Sequence, residues 1–365
     1  MSLTVKITCL ILTVSYFERC GLIVDLFLIL MTATNAVLPV VLLILLGYFL
    51  RRINFVSADF VKTGNKLVFN LFLPATLFVN VYDLDGFDTM AWDLVLYASI
   101  MVLILFLIAI VFSAVLTKHT DRRGVILQAC FRSNMAIIGL SLAAALGGEA
   151  AVAAASVLTA FTVPEYNVLA VLSFTVFSDD KSAGINKLKG VVKKIAKNPL
   201  ILGILAGMVA LLIRELQTAL FGDVVFSLKR DLKFLYTSLS NLKSITTPFA
   251  LVILGGQFVF SAVKAYRKEI VGGVLFRIVL APLIGIGVAA LLARFGGVSA
   301  FGPDAYPALI ALFGSPVAVS SAIMASQMGG DEQLATQLVV WSSTCSIITI
   351  FATACILMAT GLLPM

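Results

Sequence analysis

Long apolar runs dominate the pattern of the chain, and short polar or charged stretches separate them. A spanning helix needs about 20 apolar residues. Lipid admits only helices or closed barrels, because backbone polar groups there must be satisfied within the protein. The runs are too long and too uniformly apolar for barrel strands. The pattern therefore predicts an all-α integral membrane fold whose ten spans lie at about 29–51, 62–82, 92–117, 124–147, 150–177, 199–214, 238–261, 268–294, 304–328 and 333–361.

The composition agrees with this pattern and narrows the function. The chain is 61% hydrophobic and 12% charged, whereas a soluble protein carries about 25% charged residues. The five cysteines have no metal-type or disulfide spacing, and the single histidine, His119, lies in a charged loop. No metal, cofactor or catalytic cluster is therefore expected. The net charge of +7 does not indicate a nucleic-acid partner, because the basic residues lie mainly in loops between spans.

The distribution of basic residues predicts the orientation. The loops on one side of the ten spans carry sixteen lysines and arginines, and those on the other side carry six. The richer side faces the cytoplasm by the positive-inside rule. A protein with ten spans in the cytoplasmic (inner) membrane then has both termini outside. The loop between spans 2 and 3 carries acids only, as an external loop can.

The chain divides into two groups of five spans with an N-terminal extension. Residues 1–28 fit poorly, because the apolar stretch Ile7–Phe17 is too short to cross a bilayer. This extension reads as a signal-like segment, a surface helix or the product of an early start codon. The first group covers 29–177, a basic cytoplasmic loop covers 178–198, and the second group covers 199–361.

The two groups carry the same features in the same order, which predicts an inverted repeat. Five spans reverse the direction of the next five, and inverted repeats with interrupted helices are typical of secondary transporters. The matched features are Pro39 with Gly47 against Pro199 with Gly207, Pro74 against Pro248, Gly147-Gly148 against Gly329-Gly330, and Ser133-Asn134 against Ser315-Pro316.

Spans 4 and 9 contain the features that predict broken helices. Gly314 permits unusual backbone angles, Ser315 follows it, and Pro316 lacks the N–H that a helix needs. In span 4, Ser133 and Asn134 can bond freed backbone groups. If both helices break and cross, two positive helix N-termini face one cavity and favour an anion. The alternative is a kink that serves packing only.

Several polar side chains are candidates for the lining of that cavity. Arg132 either attracts a carboxylate there or extends its charge to the cytoplasmic interface. Glu165 either carries a proton or neutralises Arg132 or Arg277 structurally. Three further residues are second-rank candidates, since each either lines the cavity or satisfies helix contacts: Asn70, Gln257 and Asn167.

Six segments together resemble the auxin efflux carrier family, which includes bacterial permeases for malate or malonate and plant carriers. These segments, which lie within 29–361, read LPVVLLILLGYFLRR, KLVFNLFLPATLF, NPLILGILAG, FRSNMAIIGL, LFRIVLAP and FGSPVAVSSAIMASQMGGDEQLATQLVVWSS. The resemblance implies ten spans in two inverted repeats, crossover helices in spans 4 and 9, organic-anion transport and a homodimer. The crossover asparagine of the family falls on Asn134, and the crossover proline falls on Pro316.

The chain departs from the plant members at several positions. Ser141 stands where the family motif usually has a proline, and Ser133 stands where plant carriers have one. The long soluble loop of many plant members is missing, and 178–198 occupies its place. The resemblance is thus to the short bacterial type and does not carry over the plant substrate.

We interpret the chain as a secondary transporter, not an enzyme, for a small organic anion such as a carboxylate. Asn134, Ser133, Ser315 and Arg132 would bind the anion during alternating access, with a proton at Glu165 or no coupled ion. A cation-coupled carrier or sodium/proton antiporter is the alternative, although no carboxylate lies within five residues of the two crossover positions. A non-transporting sensor or scaffold is the alternative of another class.

Overall fold

The computed structural model describes residues 37–83, 91–177, 197–295, 301–302 and 305–363, with five positions between 27 and 35. Residues 1–26 and 178–196 lie outside the described residues. The predicted N-terminal extension and the predicted basic loop therefore stay predictions.

The described residues are almost entirely helical. Four π-helical turns, at Val68–Phe72, Met135–Gly139, Phe276–Leu280 and Ile310–Gly314, interrupt the α-helices. Gly148, with φ 63°, breaks an otherwise continuous stretch from 135 to 176. We number the helices in chain order as α1 (37–52), α2 (58–82), α3 (Trp92–Leu116), α4 (Thr120–Phe131), α5 (135–147), α6 (149–176), α7 (Pro199–Phe221), α8 (Lys233–Gln257), α9 (Ala262–Ala265), α10 (Arg267–Phe295), α11 (Ala305–Gly314), α12 (Val319–Met328) and α13 (Glu332–Ala359).

The lengths and surfaces of these helices confirm the prediction of a helical membrane protein. Among the described residues, five stretches are long and apolar enough to cross a bilayer: α3, Met135–Val176, α7, α10 and α13. The outer faces of these helices expose large apolar side chains; Val115 is 78% exposed and Leu283 is 68% exposed. Such faces suit hydrocarbon and would be unfavourable in water.

Some helix ends differ from the predicted spans. The sixth span was expected at 199–214, but α7 continues to Phe221 and ends at Gly222, whose left-handed φ of 74° closes the helix. A helix can extend beyond the bilayer, and hydropathy does not detect its polar last turns. The seventh span was expected at 238–261, but α8 is Lys233–Gln257 and the chain is extended at Phe258.

The described helices form two packed groups. One group, which we call the small bundle, contains α1, α2, α7 and α8. The other, the large bundle, contains α3 to α6 and α10 to α13. The two bundles meet where α12 contacts α8 and α2. This division matters for the site, which lies between the bundles.

Glycines bring the backbones of the small bundle into close contact. A Cβ built on Gly47 of α1 would overlap the carbonyl oxygen of Val252 on α8. A Cβ on Gly207 of α7 would lie 2.9 Å from the carbonyl oxygen of Phe78 on α2. Small residues at such points let membrane helices approach closely enough for extensive van der Waals contact.

A charge cluster joins three helices of the large bundle at the end where α4, α10 and α13 begin. The Arg122 guanidinium lies 3.0 Å from a Glu269 carboxylate oxygen and 3.3 Å from Asp331, with the Tyr266 ring below it at 4.6 Å. Tyr266 donates its hydroxyl to Asp331 at 3.2 Å. Partial burial, followed by this hydrogen bond, raises the pKa of Tyr266, so the hydroxyl remains a donor at neutral pH.

We expect Arg122→Ala to destabilise the large bundle by about 1 to 2 kcal/mol, because two largely buried carboxylates lose their shared cation. The measurement is thermal unfolding in detergent. Arg230→Ala is the matched control and should leave the melting temperature nearly unchanged, since Arg230 is exposed and its partners in the described chain, the Asp231 carboxylate and the Val225 carbonyl, belong to exposed residues close to it in sequence. Equal melting temperatures for the two variants would show that the Arg122 cluster does not stabilise the bundle.

Candidate functional site

The chain leaves the helical conformation at two places in the interior of the large bundle. α4 ends at Phe131, Arg132 is extended (φ −82°, ψ 107°), and α5 begins after Asn134. α11 ends at Gly314, Ser315 is extended (φ −66°, ψ 147°), and α12 begins after a second extended residue, Ala318. All six of these positions are buried.

The two extended segments cross as a short antiparallel bridge. The Asn134 N–H donates to the carbonyl oxygen of Pro316 at 2.8 Å, and the Ala318 N–H donates to that of Arg132 at 3.2 Å. The Val317 N–H donates to Ser342 Oγ on α13 at 3.1 Å. These hydrogen bonds satisfy backbone groups that have no helical partner, in an interior without bulk water.

A cavity of about 100 Å³ lies beside the crossing, between the small and the large bundle. Ten of its lining residues are polar and ten are apolar, although most of the wall surface is apolar. The polar lining residues are Thr76, Asn80, Arg132, Ser133, Asn134, Tyr166, Asn167, Thr246, Thr247 and Ser320. The apolar lining residues are Val68, Leu73, Leu77, Ala136, Ile137, Val163, Ala250, Ala318, Val319 and Ile323.

Arg132 brings a positive charge to this cavity and has neutral partners. It is 2% exposed and donates from Nη2 to Asn167 Oδ1 at 2.7 Å. Nη1 contacts Met324 Sδ at 3.2 Å and Gln128 Oε1 at 3.4 Å. Among the described residues, no carboxylate oxygen lies within 4.0 Å of the guanidinium. A buried charge without a counter-charge is costly, so this arrangement favours an anionic ligand.

Two helix N-termini contribute to the same wall. Asn134, which precedes the first residue of α5, and Ala136 in its first turn line the cavity, as do Val319 and Ser320 of α12. In the described chain neither helix has a side chain that caps its first turn. The Nδ2 group of Asn134 is also buried without a hydrogen-bond partner there. Free N–H donors and the positive ends of two helices thus face one small space.

The structure brings four predicted site residues together at the cavity: Arg132, Ser133, Asn134 and Asn167. Ser133 Oγ lies 3.4 Å from the Tyr166 hydroxyl. The predicted residues of the ninth span form the crossing but do not line the cavity; they are Gly314, Ser315 and Pro316. Ser315 is fully buried, and its hydroxyl donates a hydrogen bond to the carbonyl oxygen of Ala311 in the preceding helical turn.

The other second-rank candidates lie elsewhere. Asn70 is on an exposed face of α2 and donates to the carbonyl oxygen of Lys66 in its own helix at 2.8 Å. Gln257 lines a separate cavity of about 790 Å³ at the opposite end of α2, together with Arg51 and Lys62. Their predicted place in the central cavity does not agree with this geometry.

Glu165 is half-buried with both carboxylate oxygens buried, and it does not line the cavity, although its neighbour Tyr166 does. Within the described residues its two oxygens make no hydrogen bond of ordinary geometry, and Ser99 of α3 lies beside them. Glu165 forms no ion pair with Arg132 or Arg277. The structural alternative, in which it neutralises one of these arginines, therefore has no support. The proton role stays a prediction.

Sequence reasoning missed the part of the lining that the small bundle provides. Thr76 and Asn80 stand one helical turn apart on α2, after Pro74. Thr76 Oγ1 lies 2.9 Å from Oγ1 of Thr246 on α8, which joins the two helices at the cavity wall. The signal in the sequence is polar residues at helical spacing beside a proline in each second span.

Comparison with known families adds one finding. A family model described as "Membrane transport protein" matches residues 32–353, from five residues before α1 into α13. A search of the curated proteins found no match.

Proposed function

We propose that this chain, which belongs to the membrane transport protein family of the auxin efflux carriers, is a secondary transporter for a small organic anion. The observation that carries the proposal is Arg132, which lines the central cavity and whose buried guanidinium has no carboxylate partner among the described residues. The two helix N-termini add about half a positive charge each. A cavity with this charge attracts an anion and disfavours a cation.

The shape and lining of the cavity favour a carboxylate on a small body. A planar guanidinium binds a carboxylate through two parallel hydrogen bonds. The Ser133 hydroxyl and the Asn134 amide are additional donors in the same wall. The volume of about 100 Å³ suits a solute of a few carbon atoms. Leu73, Leu77 and Val163 would contact its apolar part.

The glycine contacts of the small bundle support ten spans in two inverted repeats. Gly47 follows Pro39 by eight residues and packs on Val252, four residues after the α8 proline. Gly207 follows Pro199 by eight residues and packs on Phe78, four residues after the α2 proline. Equivalent residues of the two halves thus make equivalent contacts, as a two-fold relation requires.

The position of the cavity supports alternating access. Its walls belong to both bundles: α2 and α8 on one side, and α4, α5, α6 and α12 on the other. A rocking motion of the small bundle against the large one would expose the crossing to each side of the membrane in turn. Our proposal includes a homodimer in the cytoplasmic membrane with both termini outside.

Proton coupling is a second, compatible proposal. The buried carboxylate of Glu165, without a basic partner in the described part of the chain, is a place where a proton can bind. A carrier coupled to a metal cation has less support, because none of the described residues that line the central cavity is a carboxylate.

The direct test is counterflow of labelled malate in proteoliposomes, challenged with unlabelled mono- and dicarboxylates, amino acids and auxin-like acids. We expect uptake in the wild type, competition by certain carboxylates, and loss of most uptake in Asn134→Ala, because a free donor of the cavity is removed. Asn70→Ala is the matched control, since Asn70 bonds its own helix on an exposed face. If none of these acids exchanges as a labelled solute, the organic-anion proposal is wrong.

A further inference from the structure

The crossing leaves a set of backbone carbonyls without their usual helical partners. The carbonyl of Leu312 would bond the N–H of residue 316, which is a proline and has none. The N–H of Val317, the usual partner of Phe313, goes to Ser342 instead. The N–H of Asn134, the usual partner of Cys130, goes to the carbonyl of Pro316. The ends of α4 and α11 therefore present free acceptors in the buried interior of the protein, where bulk water does not reach them.

One side chain satisfies these acceptors. Arg277, fully buried on the π-turn Phe276–Leu280 of α10, donates from Nε to the carbonyl oxygen of Ser315 at 2.9 Å. Its Nη1 donates to Cys130 at 3.3 Å and Phe131 at 3.0 Å. Its Nη2 donates to Leu312 at 3.1 Å and Phe313 at 2.7 Å.

The match between donors and acceptors is complete. A guanidinium has five N–H groups in a fixed plane, and five carbonyl oxygens of the two helix ends receive them. A lysine has three donors on one nitrogen and cannot make the same set. Arg277 does not line the central cavity, so its contacts are with the crossing and not with a ligand.

The charge of Arg277 also fits its position. Each helix C-terminus carries about half a negative charge, so the ends of α4 and α11 together carry about one. A guanidinium placed on both ends cancels that charge. The positive N-termini of α5 and α12, on the other side of the crossing, then determine the potential in the cavity.

We propose that Arg277 is a positioning residue for transport, with two effects that rest on the function proposed above. It holds the ends of α4 and α11 as one unit, so that the crossing moves as a whole. It also neutralises the negative charge at the C-terminal ends of these helices, which keeps the potential in the cavity positive and the cavity selective for anions.

Two variants separate these effects, with labelled malate as the probe in both direct binding and counterflow. Arg277→Lys keeps the charge but loses donors, so we expect the malate Kd to change less than about threefold while exchange slows at least about tenfold. Arg277→Gln loses the charge, so we expect the Kd to rise about tenfold, the effect of one charge at moderate distance in a protein interior. Arg294 lies exposed on the same helix, and Arg294→Lys and Arg294→Gln are the controls.

A purely structural role would lower the melting temperature of both Arg277 variants and leave the malate Kd unchanged in the folded fraction, which would overturn the proposal. Hydrogen exchange in the wild-type protein provides a second test if the variants do not fold. We expect amides in 130–134 and 314–318 to exchange at a common rate and to gain protection together with malate. Independent exchange of the two segments would overturn the coupling. A wild type that transports no organic anion would instead reject the proposed function.

Discussion

Arg132→Gln should lose anion binding while the protein stays as stable as the wild type or becomes more stable. The guanidinium is buried against neutral groups, and no described carboxylate compensates its charge. Removing it therefore relieves a desolvation cost of the unliganded protein. The same change removes the charge that pairs with the anion, which should cost about 2 to 5 kcal/mol of binding free energy. A variant that binds malate more weakly but unfolds no more easily would show that the Arg132 charge serves binding and not stability.

The measurements are the malate Kd by direct binding and the melting temperature in detergent. Arg132→Lys is the informative companion, because it keeps the charge but loses the planar fork. We expect it to bind malate more weakly than the wild type and more tightly than Arg132→Gln. If Arg132→Gln binds malate normally, the guanidinium serves packing through Asn167 and Met324, and the carboxylate site lies elsewhere.

The helical membrane fold was predictable from the sequence because its signal is local. Runs of apolar residues of bilayer length need no knowledge of tertiary contacts. The helix ends were less predictable. The polar last turns of α7 carry Glu215 and Gln217, which hydropathy assigns to a loop although the helix continues to Phe221.

The candidate site was predictable in part, for a physical reason. Residues of the fourth-span break reach the cavity, and Arg132 and Asn134 were visible as polar residues in an apolar run. In the ninth span the chain stays extended beyond Pro316, so α12 begins at Val319 and the lining residues lie after the motif. The direction of a side chain at a break depends on the other crossing strand, which a single sequence does not show.

Helical rotation explains why neighbouring residues of α6 differ in whether they reach the cavity. Successive residues of a helix point about 100° apart. Tyr166 and Asn167 therefore reach the cavity while the adjacent Glu165 faces α3. Thr76 and Asn80 were overlooked because hydroxyl and amide side chains in membrane helices often serve helix packing alone.

Gly47→Ala should be among the most damaging single-methyl changes in the small bundle. The added Cβ would overlap the carbonyl oxygen of Val252, so α1 must move away from α8 along its length. Overpacking against backbone costs about 2 to 3 kcal/mol. Gly207→Ala should act in the same direction but less, since its Cβ would lie 2.9 Å from Phe78 O and 2.9 Å from Val81 Cβ.

Gly287→Ala is the matched control for both changes. It lies within α10 with no heavy atom within 4 Å of a built Cβ, so alanine should stabilise that helix by up to about 1 kcal/mol. Thermal unfolding and malate exchange would be measured for all three variants. Because Gly47 and Gly207 are equivalent in the proposed repeat, both should lower exchange together with stability. A neutral Gly47→Ala would mean that α1 does not pack on α8 at this position, and the equivalence with Gly207 would lose its support.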